Sequence, residues 1–356
     1  MLLSIATVWD KAWPIIFAIL FFGVIIISHE LGHFSVARLF KIKINEFAIG
    51  MGPAILKKKG KETQYSLRVL PIGGYVSMEG EDEDSGDERA FCNKPVWQRF
   101  LVVLAGATVN IILGAVLLAV LISQQNLVGT TQIHSFKEGS KLEASGLQAK
   151  DVIKEINGRH VFSDNDISYL MFTDEDGKMD FVVERNGEKK EIKGVEFTTV
   201  EQDGETKIVY DMTIVGVDKT FLSVSSAALK QTASVARMVW MSLGDLISGK
   251  YGIKDVSGVI GTVGIIAETV EDSQKTTDYS ALINIMAFIS INIGVFNLLP
   301  VPALDGGRLF FMLIEMIFRK PVPQKYESWI HAAGLVLLLI FMAVVSFSDI
   351  FKFIKP

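Results

Sequence analysis

The feature that most constrains this chain is a run of apolar residues with no charged side chain at positions 12–28, which ends directly at His29. About 20 mostly apolar residues are enough for a helix to cross the hydrocarbon core of a bilayer. Only Asp10 and Lys11 carry charge ahead of the run and no small-residue cleavage site follows it, so we expect a retained span. Three later segments are similar, which gives predicted spans at 13–39, 100–122, 281–299 and 329–347. We therefore predict a polytopic α-helical membrane protein with about four transmembrane helices.

The composition fits a membrane protein that carries a soluble part. The 356 residues have a mean hydropathy of +0.36, and 49% of them are hydrophobic. The net charge of -5 argues against a nucleic-acid partner, since nucleic acids attract basic surfaces. Cys92 is the single cysteine, which excludes an intramolecular disulfide. The sequence does not indicate the oligomeric state.

The motif His29-Glu30-Leu31-Gly32-His33 stands at the end of the first span. Histidines four residues apart lie on one face of a helix, about one turn apart. Two imidazoles in that arrangement can bind one Zn²⁺, and the glutamate between them can act on a water molecule at the metal. Ionisable side chains at membrane depth are costly, so they indicate function by default. The alternative is a pair of buried histidines that bond to the backbone.

A catalytic zinc site uses three protein ligands, so a further residue is needed. The best candidate is Asp305, which follows the third predicted span. Pro300 and Pro302 break the helix before it, and the two glycines after it permit tight backbone geometry. The alternative is that Asp305 is a helix N-cap or a turn residue.

The loop between the first two spans is predicted to contain two short strands, at residues 65–70 and 71–78, around a Pro/Gly turn. The acidic run at 81–84 is expected to be a solvated loop.

The long polar stretch at about residues 124–280 is too large and too charged to be a simple loop. A strand is predicted at 151–158, and a hairpin at 181–192 with Asn186-Gly187 as its turn. Residues 221–247 have the periodicity of an amphipathic helix. The glycines between 249 and 264 are expected to interrupt regular secondary structure before the third span. The predicted divisions are residues 1–123, 124–218, 219–280 and 281–356.

The distribution of basic residues predicts the orientation in the membrane. Lys and Arg are concentrated in the loops at 41–99 and 308–328 and are sparse at the two termini. Short loops rich in basic residues stay in the cytoplasm. We therefore expect both termini and the β-rich domain to be extracytoplasmic, with the histidine motif near the cytosolic side.

These residues carry a family resemblance over nearly the whole chain. The chain resembles the site-2 protease family of intramembrane zinc metalloproteases, and within it the bacterial regulator of sigma-E protease group. The matching elements are the histidine motif, the Leu304-Asp305-Gly306-Gly307 run with Asn297 upstream, the segment 71–76, and the segment 139–158, which is similar to a PDZ domain. The second span has Gly106-Ala107-Thr108-Val109-Asn110 where relatives usually carry Gly-Pro-x-x-Asn, which puts the local bend in doubt.

The resemblance implies that His29, His33 and Asp305 bind Zn²⁺ and that Glu30 is the catalytic acid/base. It also implies that Asn297 helps to hold the substrate backbone or the transition state. We further expect the segment 65–78, with Val69, Gly73 and Gly74, to bind an unwound substrate by edge pairing. The implied fold is a helical membrane protein with a membrane-associated β-hairpin and an inserted extracytoplasmic PDZ-like α/β domain.

The resulting prediction is an endopeptidase of the bacterial cytoplasmic membrane. It is expected to cleave single-span proteins, such as anti-sigma factors or signal-peptide remnants, in regulated intramembrane proteolysis. Its expected partners are transmembrane substrates trimmed beforehand by another protease, and membrane lipid. One alternative is a catalytically idle scaffold that recruits partners through the PDZ-like domain. Another is a metal transporter that uses the histidines as a transit site.

Overall fold

The computed structural model describes residues 5–81, 85–172, 174, 177–197, 199–202, 205–208, 210–250, 252, 256 and 258–354. It divides into two compact units. One comprises Met1–Gly114 together with Val239–Pro356, and the other is Ala115–Met238.

The helices and strands follow one another along the chain as α1 (Ile5–Leu39), β1 (Ile44–Lys59), β2 (Gln64–Met78), α2 (Val96–Gln124), β3 (Val128–Phe136), α3 (Lys141–Ala144), β4 (Val152–Ile156), β5 (Arg159–His160), α4 (Asp164–Phe172), β6 (Lys178–Arg185), β7 (Glu188–Glu196), β8 (Thr199–Gln202), β9 (Glu205–Ile208), β10 (Met212–Val217), α5 (Phe221–Ile247), α6 (Val259–Thr276), α7 (Ser280–Asn297), α8 (Asp305–Phe318) and α9 (Gln324–Ile354).

Each of the four predicted spans coincides with a helix. Among the residues that the structure describes, four helical segments are long and apolar enough to cross a membrane: Ala12–Leu39, Val96–Gln124, Ser280–Asn297 and Lys325–Phe351. Helix α9 leaves large apolar side chains such as Trp329, Leu337 and Phe347 mostly exposed. An exposed apolar surface of this kind suits contact with lipid rather than with water.

Strands β1 and β2 form a long hairpin that folds back on itself. Phe47 of β1 is paired with Val76 on one side and with Tyr65 on the other. The fold-back falls at Gly50 and Gly52, whose φ values of 85° and 83° are readily adopted by glycine. The sequence prediction of two short strands was incomplete, because β1 was missed; the two predicted strands are the halves of β2, which lie on either side of β1.

A hydrophobic core joins this hairpin to the helices around the histidine motif. It contains buried side chains from α1, α2, α8 and both strands, namely Ala37, Ile44, Phe47, Val76, Met78, Val102, Val103, Leu309 and Met312. Fully burying a large aliphatic or aromatic side chain stabilises a protein by about 1.5–3 kcal/mol. The core therefore fixes the end of α1, the start of α8 and the hairpin against one another.

The expectation that glycines break regularity before the third span was wrong in part. Gly261 and Gly264 lie inside helix α6, which packs against α1 and α7 through Ile266 and Val270. The carboxylate of Asp349 accepts hydrogen bonds from the N–H groups of Gly258 and Gly261, both at 2.9 Å. These bonds satisfy the first N–H groups of α6, so the helix begins despite its glycines.

The second unit is built on a sheet in the order β10-β3-β4-β6-β7, with β5 paired to β4. The predicted hairpin is confirmed, because β6 and β7 are joined by Asn186 and Gly187, both with positive φ. The predicted strand after Asp151 and the helix at 221–247 are also present, as β4 and α5. The core of the sheet is formed by Ile133, Ile153, Ile156, Met179, Phe181 and Val183.

Part of helix α5 is fastened to this unit by a buried carboxylate. Asp166 is fully buried, and it accepts hydrogen bonds from Arg237 at 2.7 Å and from the hydroxyl of Ser234. The same carboxylate accepts the N–H groups of Phe162 and Ser163 at 2.7 and 3.1 Å. An unpaired buried carboxylate would be strongly destabilising, so these partners account for its position.

The acidic run at 81–84 lies mostly outside the described residues. Of its four members only Glu81 is described, and its carboxylate is paired with Arg308.

Candidate metal centre

Three side chains that are distant in sequence meet at the end of α1. His29 and His33 lie one turn apart, with their Nε2 atoms 3.1 Å apart. Oδ2 of Asp305, the first residue of α8, lies 3.0 Å from Nε2 of His29 and 3.3 Å from Nε2 of His33. All three side chains are largely buried.

The spacing of these atoms fits a tetrahedral metal ion. With metal–ligand bonds of about 2.0 Å, two ligands of a tetrahedral Zn²⁺ are separated by about 3.3 Å. Nδ1 of His33 lies 2.9 Å from the carbonyl oxygen of Val102 and must donate to it. In the neutral imidazole this leaves an unshared electron pair on Nε2, directed at the cluster. The donor set therefore suits Zn²⁺, since nitrogen and oxygen electron pairs converge on one point.

Glu30 shares a small cavity with the three candidate ligands. The cavity has a volume of about 160 Å³, and its remaining walls are Tyr75, Val76, Met78, Glu81, Val103 and Arg308. Strand β2 passes directly over Glu30, since a Cβ built on Gly74 would lie 3.1 Å from its Cγ. A carboxylate beside a metal centre and next to an extended strand is placed to serve in proton transfer.

Two glycines let α1 and α2 cross closely at this point. A Cβ on Gly32 would lie 2.8 Å from the backbone carbon of Ala105 and 2.9 Å from Cα of Gly106. A Cβ on Gly106 would collide with the imidazoles of His29 and His33. Ala107 stands where relatives usually carry proline, so α2 is an unbroken helix here. Gly106 allows the close approach of α1 to α2.

Asn110 links three membrane helices. Its Oδ1 accepts a hydrogen bond from the hydroxyl of Ser28 at 3.0 Å, and its carbonyl accepts one from Ser290 at 2.8 Å. Asn110 is fully buried. Hydrogen bonds between helices stabilise membrane bundles, and these two bonds give Asn110 a packing function.

The loop before α8 directs Asp305 toward the imidazoles. Leu304 occupies the N-cap position, so Asp305 itself is not the cap. Ala303 has a φ of 77°, which is uncommon for a residue with a Cβ. A Cβ on Gly306 would lie 2.5 Å from the backbone carbons of Leu298 and Leu299. The glycine after Asp305 is therefore needed for the close turn of this loop.

A polar cluster stiffens the hairpin next to the cavity. Glu46 accepts hydrogen bonds from Ser66 at 2.5 Å, from Arg68 at 2.9 Å and from the hydroxyl of Tyr75 at 3.0 Å. Burial alone would raise the pKa of Glu46, but these three donors outweigh it and lower the pKa to about 2. Glu46 therefore stays ionised and holds Tyr75, which forms part of the cavity wall.

The structure brings His29, Glu30, His33 and Asp305 together, but not every residue that the sequence suggested. Asn297 ends α7, and neither it nor Val69, Gly73 or Gly74 is among the residues that line the cavity, although Gly74 packs on Glu30.

Sequence reasoning did not single out Tyr75, Glu81 or Arg308 as cavity residues. The spacing of Arg308, three residues after Asp305 on α8, is a helical signal that could have indicated it. Glu81 and Arg308 also border a second, larger cavity of about 620 Å³ with several charged walls.

These observations describe a chain with four candidate membrane helices and a candidate metal centre in the C-terminal part of the first of them. The sequence profile of peptidase family M50 matches residues 17–341. The chain belongs to this family, which confirms the resemblance to site-2 proteases, and it is a zinc metalloprotease.

Three relatives illustrate the match. A protein of Clostridium acetobutylicum, named for an inferred zinc metalloprotease activity, is 38% identical over 94% of this chain and 97% of its own length. A similarly named protein of Fusobacterium nucleatum is 34% identical over 94% of this chain and 98% of its own length. The regulator of sigma-W protease RasP of Bacillus subtilis is 28% identical over 93% of this chain and 97% of its own length.

Proposed function

We propose that this protein is an intramembrane endopeptidase that hydrolyses single-span membrane proteins. The observation that carries the proposal is the convergence of His29, His33 and Asp305 to within 3.3 Å beside Glu30, at the end of a helix long enough to cross a bilayer. The substrate classes that we expect are anti-sigma factors and signal-peptide remnants, in regulated intramembrane proteolysis.

In this proposal His29, His33 and Asp305 hold Zn²⁺. When bound, Zn²⁺ supplies Lewis acidity toward the scissile carbonyl and makes a water molecule acidic near neutral pH. Glu30 accepts a proton as the oxygen of that water attacks the carbonyl carbon. It then delivers that proton to the amide nitrogen as the C–N bond breaks, so the products are a carboxylic acid and an amine, which become carboxylate and ammonium when the acid proton moves to the amine. Val102 keeps the ring of His33 in the correct tautomer through its carbonyl.

A transmembrane substrate must unwind before it is cut, because helical hydrogen bonds shield its carbonyls. We propose that β2 receives the unwound segment by edge pairing. The position of Gly74 against Glu30 supports this, as do the places of Tyr75 and Val76 in the cavity wall. The substitution Val69→Pro tests the part of β2 that is farther from Glu30. Undiminished cleavage of a membrane substrate by this variant would count against edge pairing at that part of the strand.

We also propose a topology with both termini and the PDZ-like domain outside the cytoplasm, and the metal centre near the cytosolic side. Cys92 is exposed and is the single cysteine, so it reports on the loop between α1 and α2. A membrane-impermeant maleimide should label Cys92 only after the cells are permeabilised. A Cys92→Ser variant with cysteine at Lys190 is the matched control and should be labelled in intact cells.

The PDZ-like domain, residues 124–218, is proposed to restrict access to substrates that another protease has already trimmed. PDZ domains bind chain ends by adding a strand, which suits a test for a free terminus. The purified protein should cleave a substrate without its extracytoplasmic domain at least about tenfold faster than the intact one, a difference of about 1.4 kcal/mol. Equal rates for both substrates would indicate a passive spacer.

The central experiment combines metal analysis with cleavage of a single-span substrate. The wild type should contain about one zinc ion per chain, as expected for a three-ligand site, and should cut the substrate. Glu30→Gln should keep the metal and lose cleavage. If the Glu30→Gln protein still performs the biological function of the wild type without cleaving the substrate, the scaffold alternative is favoured. Metal flux in proteoliposomes would favour the transporter alternative.

A further inference from the structure

The loop that presents Asp305 directs most of its backbone hydrogen bonds to itself. Two of its residues are prolines without an N–H group, and the N–H groups of Val301 and Leu304 donate to carbonyls inside the loop. The left-handed φ of Ala303, 77°, is a conformation that residues with a Cβ adopt at an energetic cost. Such a conformation persists where the surrounding structure fixes it.

A histidine of another helix supplies that restraint. The N–H group of Ala303 donates a hydrogen bond of 3.0 Å to Nδ1 of His331, which lies on α9. Because Nδ1 accepts, the proton of the neutral ring must be on Nε2. Within the described residues, Nε2 is buried without a hydrogen-bond partner, and the nearest carboxylate oxygen, of Glu327, is 3.9 Å away. The polar contact that His331 makes is therefore directed at the loop.

Close packing keeps α9 against the same loop. A Cβ on Gly334, nearly one turn after His331, would lie 2.8 Å from the carbonyl oxygen of Pro302. A Cβ on Gly307 would lie 3.1 Å from Cε1 of His331. The imidazole thus lies between the loop and the first turn of α8, where Asp305 is located.

We propose that His331 is a positioning residue for the metal centre. Its Nδ1 fixes the peptide of Ala303, and the fixed loop holds the carboxylate of Asp305 against His29 and His33. This inference rests on the proposed function, since it requires Asp305 to be a zinc ligand. Partners that orient ligands without touching the metal change metal affinity by about 10–100-fold when they are removed.

The test uses the full chain in detergent and measures its dissociation constant for Zn²⁺ by competition with a chromogenic chelator. In His331→Asn, the amide oxygen occupies the place of Nδ1 and can still accept from Ala303. In His331→Gln, the oxygen stands one bond farther away. We expect the Asn variant to stay within about threefold of the wild type, and the Gln and Leu variants to bind about 10–100-fold more weakly.

Two controls separate the possible causes. His134→Leu, at an exposed position of β3 in the other unit, should leave zinc affinity unchanged. The melting temperature of each zinc-free variant reports its folding, and the Asn/Gln pair carries the test if His331→Leu does not fold.

Wild-type affinity in the Gln variant would overturn the inference, as would an Asn variant as weak as the Gln variant. Asp305→Asn is measured in parallel. Unchanged zinc affinity in that variant would refute the proposed ligand set itself. Weak binding in Asp305→Asn together with unchanged binding in His331→Gln would refute only the positioning role.

Discussion

Substitution of Gly106 by alanine tests the helix crossing that shapes the metal centre. A methyl group there would lie 2.6 Å from Cε1 of His33 and 2.9 Å from Cε1 of His29, whereas ordinary contacts begin at 3.4 Å. Since Nε2 of His33 would be closer still, that imidazole would have to move by at least about 0.8 Å, and the imidazole of His29 by about 0.5 Å. Zinc sites tolerate changes of about 0.2 Å in metal–ligand distances. We expect zinc affinity to fall by at least about tenfold and peptidase activity by about 100-fold, the usual effect of a misplacement near 1 Å.

The assay measures the zinc dissociation constant and the initial rate of cleavage of a single-span substrate. Gly23→Ala is the matched control, because a Cβ at Gly23 of α1 would meet nothing within 4 Å. It should bind zinc and cleave as the wild type does, with slightly higher stability from better helix propensity. A Gly106→Ala protein with wild-type zinc affinity and rate would show that α1 and α2 can separate without cost, and would refute this account of the crossing.

Three further predictions concern stability. The pKa of Glu46 in the folded protein, about 2, is below its ordinary value of 4.5, so its contribution to folding stability is present above pH 4.5 and is lost as the pH falls toward 2. Between these pH values, the melting temperature of Glu46→Gln should depend less on pH than that of the wild type. Asp166→Ala leaves Arg237 without its buried partner and should lower the free energy of unfolding of the second unit by about 3 kcal/mol, as measured by calorimetry. An unchanged unfolding free energy would show that the pair does not stabilise this unit. Chelation of the metal should lower the melting temperature of the wild type but not of Asp305→Asn, and equal shifts in both would contradict the ligand assignment.

The membrane helices were predictable because an apolar run of about 20 residues has few alternatives. The hairpin at Asn186-Gly187 was equally clear, since both residues readily adopt the positive φ that its turn requires. The four-residue spacing of His29 and His33 predicted that their imidazoles lie together, and their Nε2 atoms are 3.1 Å apart. In these cases the signal is local.

The features that were missed depend on contacts distant in sequence. Helix α6 begins because Asp349, near the other end of the unit's sequence, accepts its first N–H groups. Strand β1 contains Gly50 and Gly52, which suggest a loop unless the partner strand is known. Glu81 reaches the cavity as the partner of Arg308, which is more than 200 residues away in sequence, and no local pattern indicates it. Tertiary contacts override local propensity at such positions.

On the proposed ligand set, the metal centre takes two donors from the first helix and the third from α8, near the other end of the chain. Chains emerge from the ribosome beginning at their N-terminus, so the histidine pair reaches the bilayer well before Asp305 has been synthesised. On that ligand set, a nascent chain with only the first helices inserted has two of the three donors, which is fewer than a catalytic zinc site uses. The order of synthesis therefore makes α8 the element that completes the site.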